Sequence, residues 1–160
     1  LFAVSLWVMN AGPLFFYQEG FMPFASLGEA EAYLGEKILI PRYFPPNLSW
    51  PPSQILAQRK PFLAYVVKFQ KKGEGGISLV LTVAPGRNPL SGFQIVPVRT
   101  LQSTRVKIAG QSAEMSVGRL RSGERCSMIS WVLYGRRRTL SGLLPPAEIL
   151  RMAESMEGAR

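Results

Sequence analysis

Histidine is absent from this chain of 160 residues, and cysteine occurs once, as Cys126. Without imidazole, the commonest general base, the commonest metal ligand and the usual axial haem ligand are all missing. A lone cysteine forms no internal disulfide and says little about redox compartment. Zinc, copper, iron–sulfur and haem chemistry are therefore disfavoured, and no metal or other cofactor is expected. Acidic side chains are also scarce, 10 Asp and Glu against 19 Lys and Arg, for a formal charge of +9. Such a surplus suits acidic partners such as nucleic acid, anionic lipid or an acidic protein face, and it also serves plain solubility.

Charge of either sign is missing from Leu1 to Gln18, and the first ionisable side chain is Glu19. A membrane-crossing helix needs about 20 mainly apolar residues. The run is slightly short, but the chain opens on Leu1 rather than Met, which leaves room for residues upstream. Residues 1–20 are expected to form a single-pass membrane anchor through Leu1, Phe2, Leu6, Trp7, Val8, Leu14, Phe15, Phe16 and Tyr17. Trp7 and the Phe15–Tyr17 cluster resemble interfacial aromatics, and Gly12 and Pro13 are tolerated in membrane helices. A signal peptide and a buried core helix remain alternatives. The signal peptide lacks a basic start and a small-residue cleavage site, and no cysteine follows the run to carry a lipid. From Gln18 to Leu34 there is no Lys or Arg, while Glu19, Glu29 and Glu31 occur. That flank fits translocation, so the remaining domain is expected outside the cytoplasm, in the periplasm, away from nucleic acid.

Residues 21–25 read as a short aromatic linker, and 26–160 as one domain of ordinary size. Ser26 to Glu29 is a capping box, opening a short helix that carries Leu27, Ala30 and Leu34 on one side and stops at Gly35. The prolines between Pro41 and Pro52 exclude a regular central element. Period-two alternation then predicts strands at 63–70 with one wet face, 77–83, 105–108, 113–117, 126–134 and 139–144. A short edge strand at 93–98 is weakened by Pro97. The 126–134 segment is the longest and most apolar, hence expected at the centre. Ile149, Met152, Ala153 and Met156 recur at helical spacing behind Pro145 and Pro146. The expected architecture is α+β: a transmembrane helix, then an antiparallel meander with a short N-terminal helix and a C-terminal helix packed on it.

Several of these segments together resemble one family. Gly28-Glu29-Ala30 through Gly35, then Ile40-Pro41-Arg42-Tyr43-Phe44-Pro45, is similar to its opening helix and proline segment. Val106 to Gly110 resembles one of its strands, and Ser130-Trp131-Val132-Leu133-Tyr134-Gly135 with Leu140-Ser141-Gly142 resembles its hairpin. Pro146 to Met156 resembles its closing helix. The family is the uncharacterised extracytoplasmic domain that follows a transmembrane helix in bacterial anti-sigma-factor-like and lipoprotein-like proteins, matched over about residues 26–157. The resemblance implies a non-enzymatic domain beyond the membrane and brings no catalytic residues with it.

Candidate chemistry is thin. Lys71 to Gly76 joins two strands, so its glycines lack the helix N-terminus that binds phosphate. Ser127, Ser130 and Ser141 have no histidine to act as base, and Cys126 reads as a small core residue. Basic clusters remain: Arg119, Arg121 and Arg125 in one loop, and Arg136, Arg137 and Arg138 in a turn at the opposite end of the 126–134 strand. Guanidinium groups grip carboxylates and phosphates bidentately. The expected role is a non-enzymatic, single-pass accessory subunit of a larger bacterial membrane complex, whose basic domain docks on partner subunits or anionic lipid. The alternative is an envelope sensor or regulator related to anti-sigma factors.

Overall fold

The computed structural model describes residues 20–86 and 90–157. The anchor expected at 1–20 lies, but for Gly20, outside the described residues. Among those described, no helix is long and apolar enough to cross a membrane. The domain is mainly β. Eight antiparallel strands form one sheet: β1 (Met22–Phe24), β2 (Gln54–Gln58), β3 (Ala64–Gln70), β4 (Ile77–Pro85), β5 (Arg99–Ile108), β6 (Gln111–Arg119), β7 (Arg125–Leu133) and β8 (Arg136–Gly142). Helices α1 (Leu27–Leu34) and α2 (Pro146–Glu157) pack on one of its faces.

The strand order is β1-β2-β3-β4-β8-β7-β6-β5, so the expected simple meander is corrected. Two four-stranded meanders are joined where β4 pairs with β8, from Leu79↔Gly142 to Pro85↔Arg136. The segment expected as an edge strand at 93–98 instead crosses the face opposite the helices, opening with a 3-10 turn at Ser91–Phe93. Pro97 offers no N–H to a ladder. The segment bonds to side chains beneath it: Ile95 N donates to Ser141 Oγ at 2.9 Å, and Gln94 Nε2 to Thr82 Oγ1 at 3.1 Å. β5 then begins at the far edge of the sheet.

This crossing explains a second difference. Val66 and Val80 lie on the face expected to be wet, yet both are buried, in a cluster with Phe21, Leu56 and Leu90 flanked by Phe93 and Ile95. Tyr65, Val67, Leu79 and Leu81 point to the helix side. β3 and β4 are thus covered on both faces. The expected linker at 21–25 supplies β1, whose Met22, Pro23 and Phe24 pair with Ala57, Leu56 and Ile55. Three residues containing a proline give no periodic signal, which is why β1 escapes a sequence reading. β7 is not central either; β4 and β8 hold the middle of the sheet.

Both helices follow their sequence. Ser26 Oγ accepts from Glu29 N, the Glu29 carboxylate accepts from Ala25 N, and Gly35 ends α1 in the left-handed conformation. Ile149, Met152, Ala153 and Met156 are the buried stripe of α2. The proline-rich 38–48 segment runs along α2 and is held there by Ser155. Its Oγ accepts from Arg42 N and Tyr43 N, at 3.0 and 3.1 Å, while donating to Met152 O. Tyr43 OH donates to Glu148 Oε2 at 2.6 Å, an interaction that raises the phenol pKa, and the Arg151 guanidinium lies 3.9 Å from the centre of the Tyr43 ring. Ser155→Ala leaves two amide donors without their partner, so chemical denaturation should register a loss of about 1–3 kcal/mol. An unchanged midpoint would show that these bonds do not hold the segment.

Candidate functional site

The six arginines singled out by sequence divide into two unlike groups. Arg136, Arg137 and Arg138 do not sit in a turn. The β7–β8 connection is only Tyr134 and Gly135, both at positive φ, 52° and 73°. Such a two-residue reversal matches the twist of the flanking strands. β8 therefore starts at Arg136, and alternation sends Arg136 and Arg138 to the helix face and Arg137 to the other.

Each of the three is engaged inside the domain. Arg136 holds the Glu36 carboxylate with both terminal nitrogens, the Nη2–Oε2 distance being 2.9 Å, and this hydrogen bonding raises its pKa further. Arg137 donates to Ser130 Oγ at 3.0 Å and, more weakly, to Gly86 O. Arg138 is 4% exposed and donates to Leu133 O. Its Nε lies 2.6 Å from Glu157 Oε1, a close ion pair without the alignment of a hydrogen bond. Beside this cluster Tyr65 OH accepts from Leu39 N, and burial pushes the phenol up to about 12.

The other group is exposed. Arg119 closes β6, Arg125 opens β7, and Arg121 sits in the turn between them. Register pairs Arg119 with Arg125 and also with Arg99 at the start of β5. Three adjacent strands therefore carry arginines side by side, about 5 Å apart strand to strand. Alternation from Met115 and Ile129, both in the helix-side core, puts all three on that face. Arg119 Nη1 donates to Gly123 O at 2.8 Å, which steadies the turn. Among the described residues, Arg99, Arg119, Arg121 and Arg125 make no ion pair. A cleft of about 240 Å³ adjoins the row, lined by Val117, Arg125, Ser127, Leu143 and Pro145 beside the start of α2.

Arg99 was not singled out in the sequence, because only strand register places it next to Arg119. Arg105 and Lys107 were legible only as the polar half of a strand alternation. Cross-strand neighbours of like charge are destabilising, so a fold that keeps three together carries a standing cost.

A second polar feature lies on the face opposite the helices, exposed at its β5 and β6 end and buried at Thr139 and Thr82. Arg105, Glu114, Ser130, Thr139 and Thr82 stand in register across β5, β6, β7, β8 and β4. Shallow hollows of about 370 and 260 Å³ lie over this row. Ser130 Oγ lies 3.1 Å from Thr139 Oγ1 and accepts from Arg137. A guanidinium cannot take a proton from serine, so this arrangement does not build a nucleophile. Cys126 is buried, and burial raises its thiol pKa away from the reactive thiolate. Among the described residues, no three His, Cys, Asp or Glu side chains group as metal ligands.

No family model, curated protein or solved structure matches this chain. The resemblance over residues 26–157 therefore stands on its own motifs.

Arg125→Gln, which leaves the Arg119 bond to Gly123 O in place, should stabilise the domain by about 0.2–1 kcal/mol, by removing a like-charge neighbour. Added salt should stabilise the natural chain more than this variant, because screening relieves the same repulsion. Thermal melts at low and high ionic strength measure both. A destabilised variant would mean that the row is compensated within the domain.

Proposed function

We propose that this chain is a non-enzymatic docking module, tethered to a membrane by its first 20 residues and facing away from the cytoplasm. The Arg99–Arg119–Arg125 row, with Arg121 beside it, docks on an acidic surface of a partner subunit in a larger membrane complex. One observation carries this reading: four exposed guanidinium groups share one end of the sheet without a carboxylate partner among the described residues. The turn also holds one acid, Glu124, whose carboxylate accepts from Ser122 Oγ and, among the described residues, makes no ion pair with the arginines, so the row keeps a positive surplus. The apolar cleft beside the row adds a place for a partner side chain, and planar forks suit carboxylate recognition. The tether follows from the uncharged Leu1–Gln18 run and its acidic flank. The extracytoplasmic reading draws also on the family resemblance.

The test is purification from native membranes in mild detergent, comparing the natural chain with Arg119→Glu/Arg125→Glu. The natural chain should bring down a stoichiometric subunit, release it at roughly 0.5 M salt, and lose it on charge reversal. Recovery of the chain alone, or a partner indifferent to the reversal, would contradict the proposal. Binding only to vesicles containing anionic lipid, with no protein retained, would reject the subunit reading in favour of a lipid surface.

A further inference from the structure

The two edges of the sheet are built differently. β1 is three residues long and contains Pro23, two devices that discourage another strand from adding. β5 has ten residues, is paired only through β6, and is exposed from Arg99 to Arg105 and again at Lys107. Its outer side offers a row of backbone donors and acceptors. An edge this long invites strand addition unless it is covered, bent or blocked. β5 has one irregularity, between Thr100 and Gln102, and that lies near its start. Beyond it the strand runs regularly to Ile108.

The side chains state which strand would fit. β5 reads RTLQSTRVKI, with three cations and no acid. Arg99 projects on the helix face, while Arg105 and Lys107 project on the other, so an added strand meets positive charge on both sides. Arg105 stands opposite Glu114 in register without forming an ion pair. At the start of the edge Val96, Val98 and Leu101 are exposed, at 44%, 66% and 48%. A second copy of this chain would bring three more cations and no acid to the same edge, and like charges on neighbouring strands are unfavourable.

We infer that β5 is a strand-addition site for an extended, acidic segment of the partner protein, with carboxylates facing Arg99, Arg105 and Lys107. The inference rests on the docking reading and deepens it. The arginine row would supply long-range attraction, and the β5 backbone would supply direction and register. Strand addition takes affinity from main-chain hydrogen bonds and specificity from alternate side chains.

The experiment titrates the full chain with a fluorescein-tagged peptide of alternating glutamate and threonine, equal in length to β5. A second peptide has the same sequence with every backbone nitrogen methylated, so its charge is kept and neither of its edges can donate. Fluorescence anisotropy should show the first binding at least roughly tenfold more tightly than the second. Amide exchange should slow along β5 and not along β1, and Arg105→Glu/Lys107→Glu should abolish the preference. Equal binding of both peptides would overturn strand addition while leaving electrostatic docking intact. Binding of neither would overturn both. Self-association of the free chain, lost in Arg105→Glu/Lys107→Glu, would show that a second copy takes the edge and would overturn the acidic-strand assignment.

Discussion

The pairing of β4 with β8 is the contact on which the rest of this domain depends. It makes one sheet out of two meanders that would each expose an edge at that line. The approach is close: a Cβ on Gly142 would come within 2.5 Å of Ser78 O, and Leu143 N donates to the same oxygen at 2.8 Å. Only glycine lets the end of β8 come this near β4. The pairing joins residues far apart in the chain, from Leu79 with Gly142 to Pro85 with Arg136, so closing it carries the entropy cost of a long loop.

That seam divides the labour within the sheet. The β1–β4 half is sealed on both faces, by α1 and the proline-rich segment on one, where Phe44 and Trp50 pack on Phe69, and by the crossing segment on the other. Burying a side chain such as Leu56 or Val66 contributes about 1.5–3 kcal/mol. The β5–β8 half is packed by α2 on one face, meets the crossing segment on the other where Ile95 bonds to Ser141 and Pro97 lies against Gly118, and runs out to a bare edge, where the exposed arginines collect. Arg136 and Arg138 tie the two regions together through Glu36, just beyond α1, and Glu157, at the end of α2. A buried pair of this kind is weak evidence for net stability. Losing either partner of the Arg138–Glu157 contact would still be costly, because the other charge would remain desolvated.

Much of the local structure is legible in the sequence because local rules decide it. The Ser26–Glu29 box, the stop at Gly35, the Ile149–Met156 stripe and the alternations within β4, β6 and β7 depend on near neighbours in the chain. What is not legible depends on partners far away. β1 and β2 are short and acquire meaning only by pairing with each other and with β3. The second buried face of β3 and β4 exists because residues 90–98 lie over it, and nothing in the alternation of 63–70 announces that cover. The two arginine clusters look alike in sequence. Register and a tight turn make one a set of internal ties and leave the other facing solvent beside Arg99. The Leu1–Gln18 run lies outside the described residues, so the tether remains a reading of the sequence.

Amide hydrogen exchange across a denaturant series measures the seam directly. If one sheet holds the domain, amides of β3, β4, β7 and β8 should share a single highest opening free energy and lose protection together, while those on the outer side of β5 exchange first. Separate opening of β5–β8 as a unit, with β1–β4 still protected, would contradict the account.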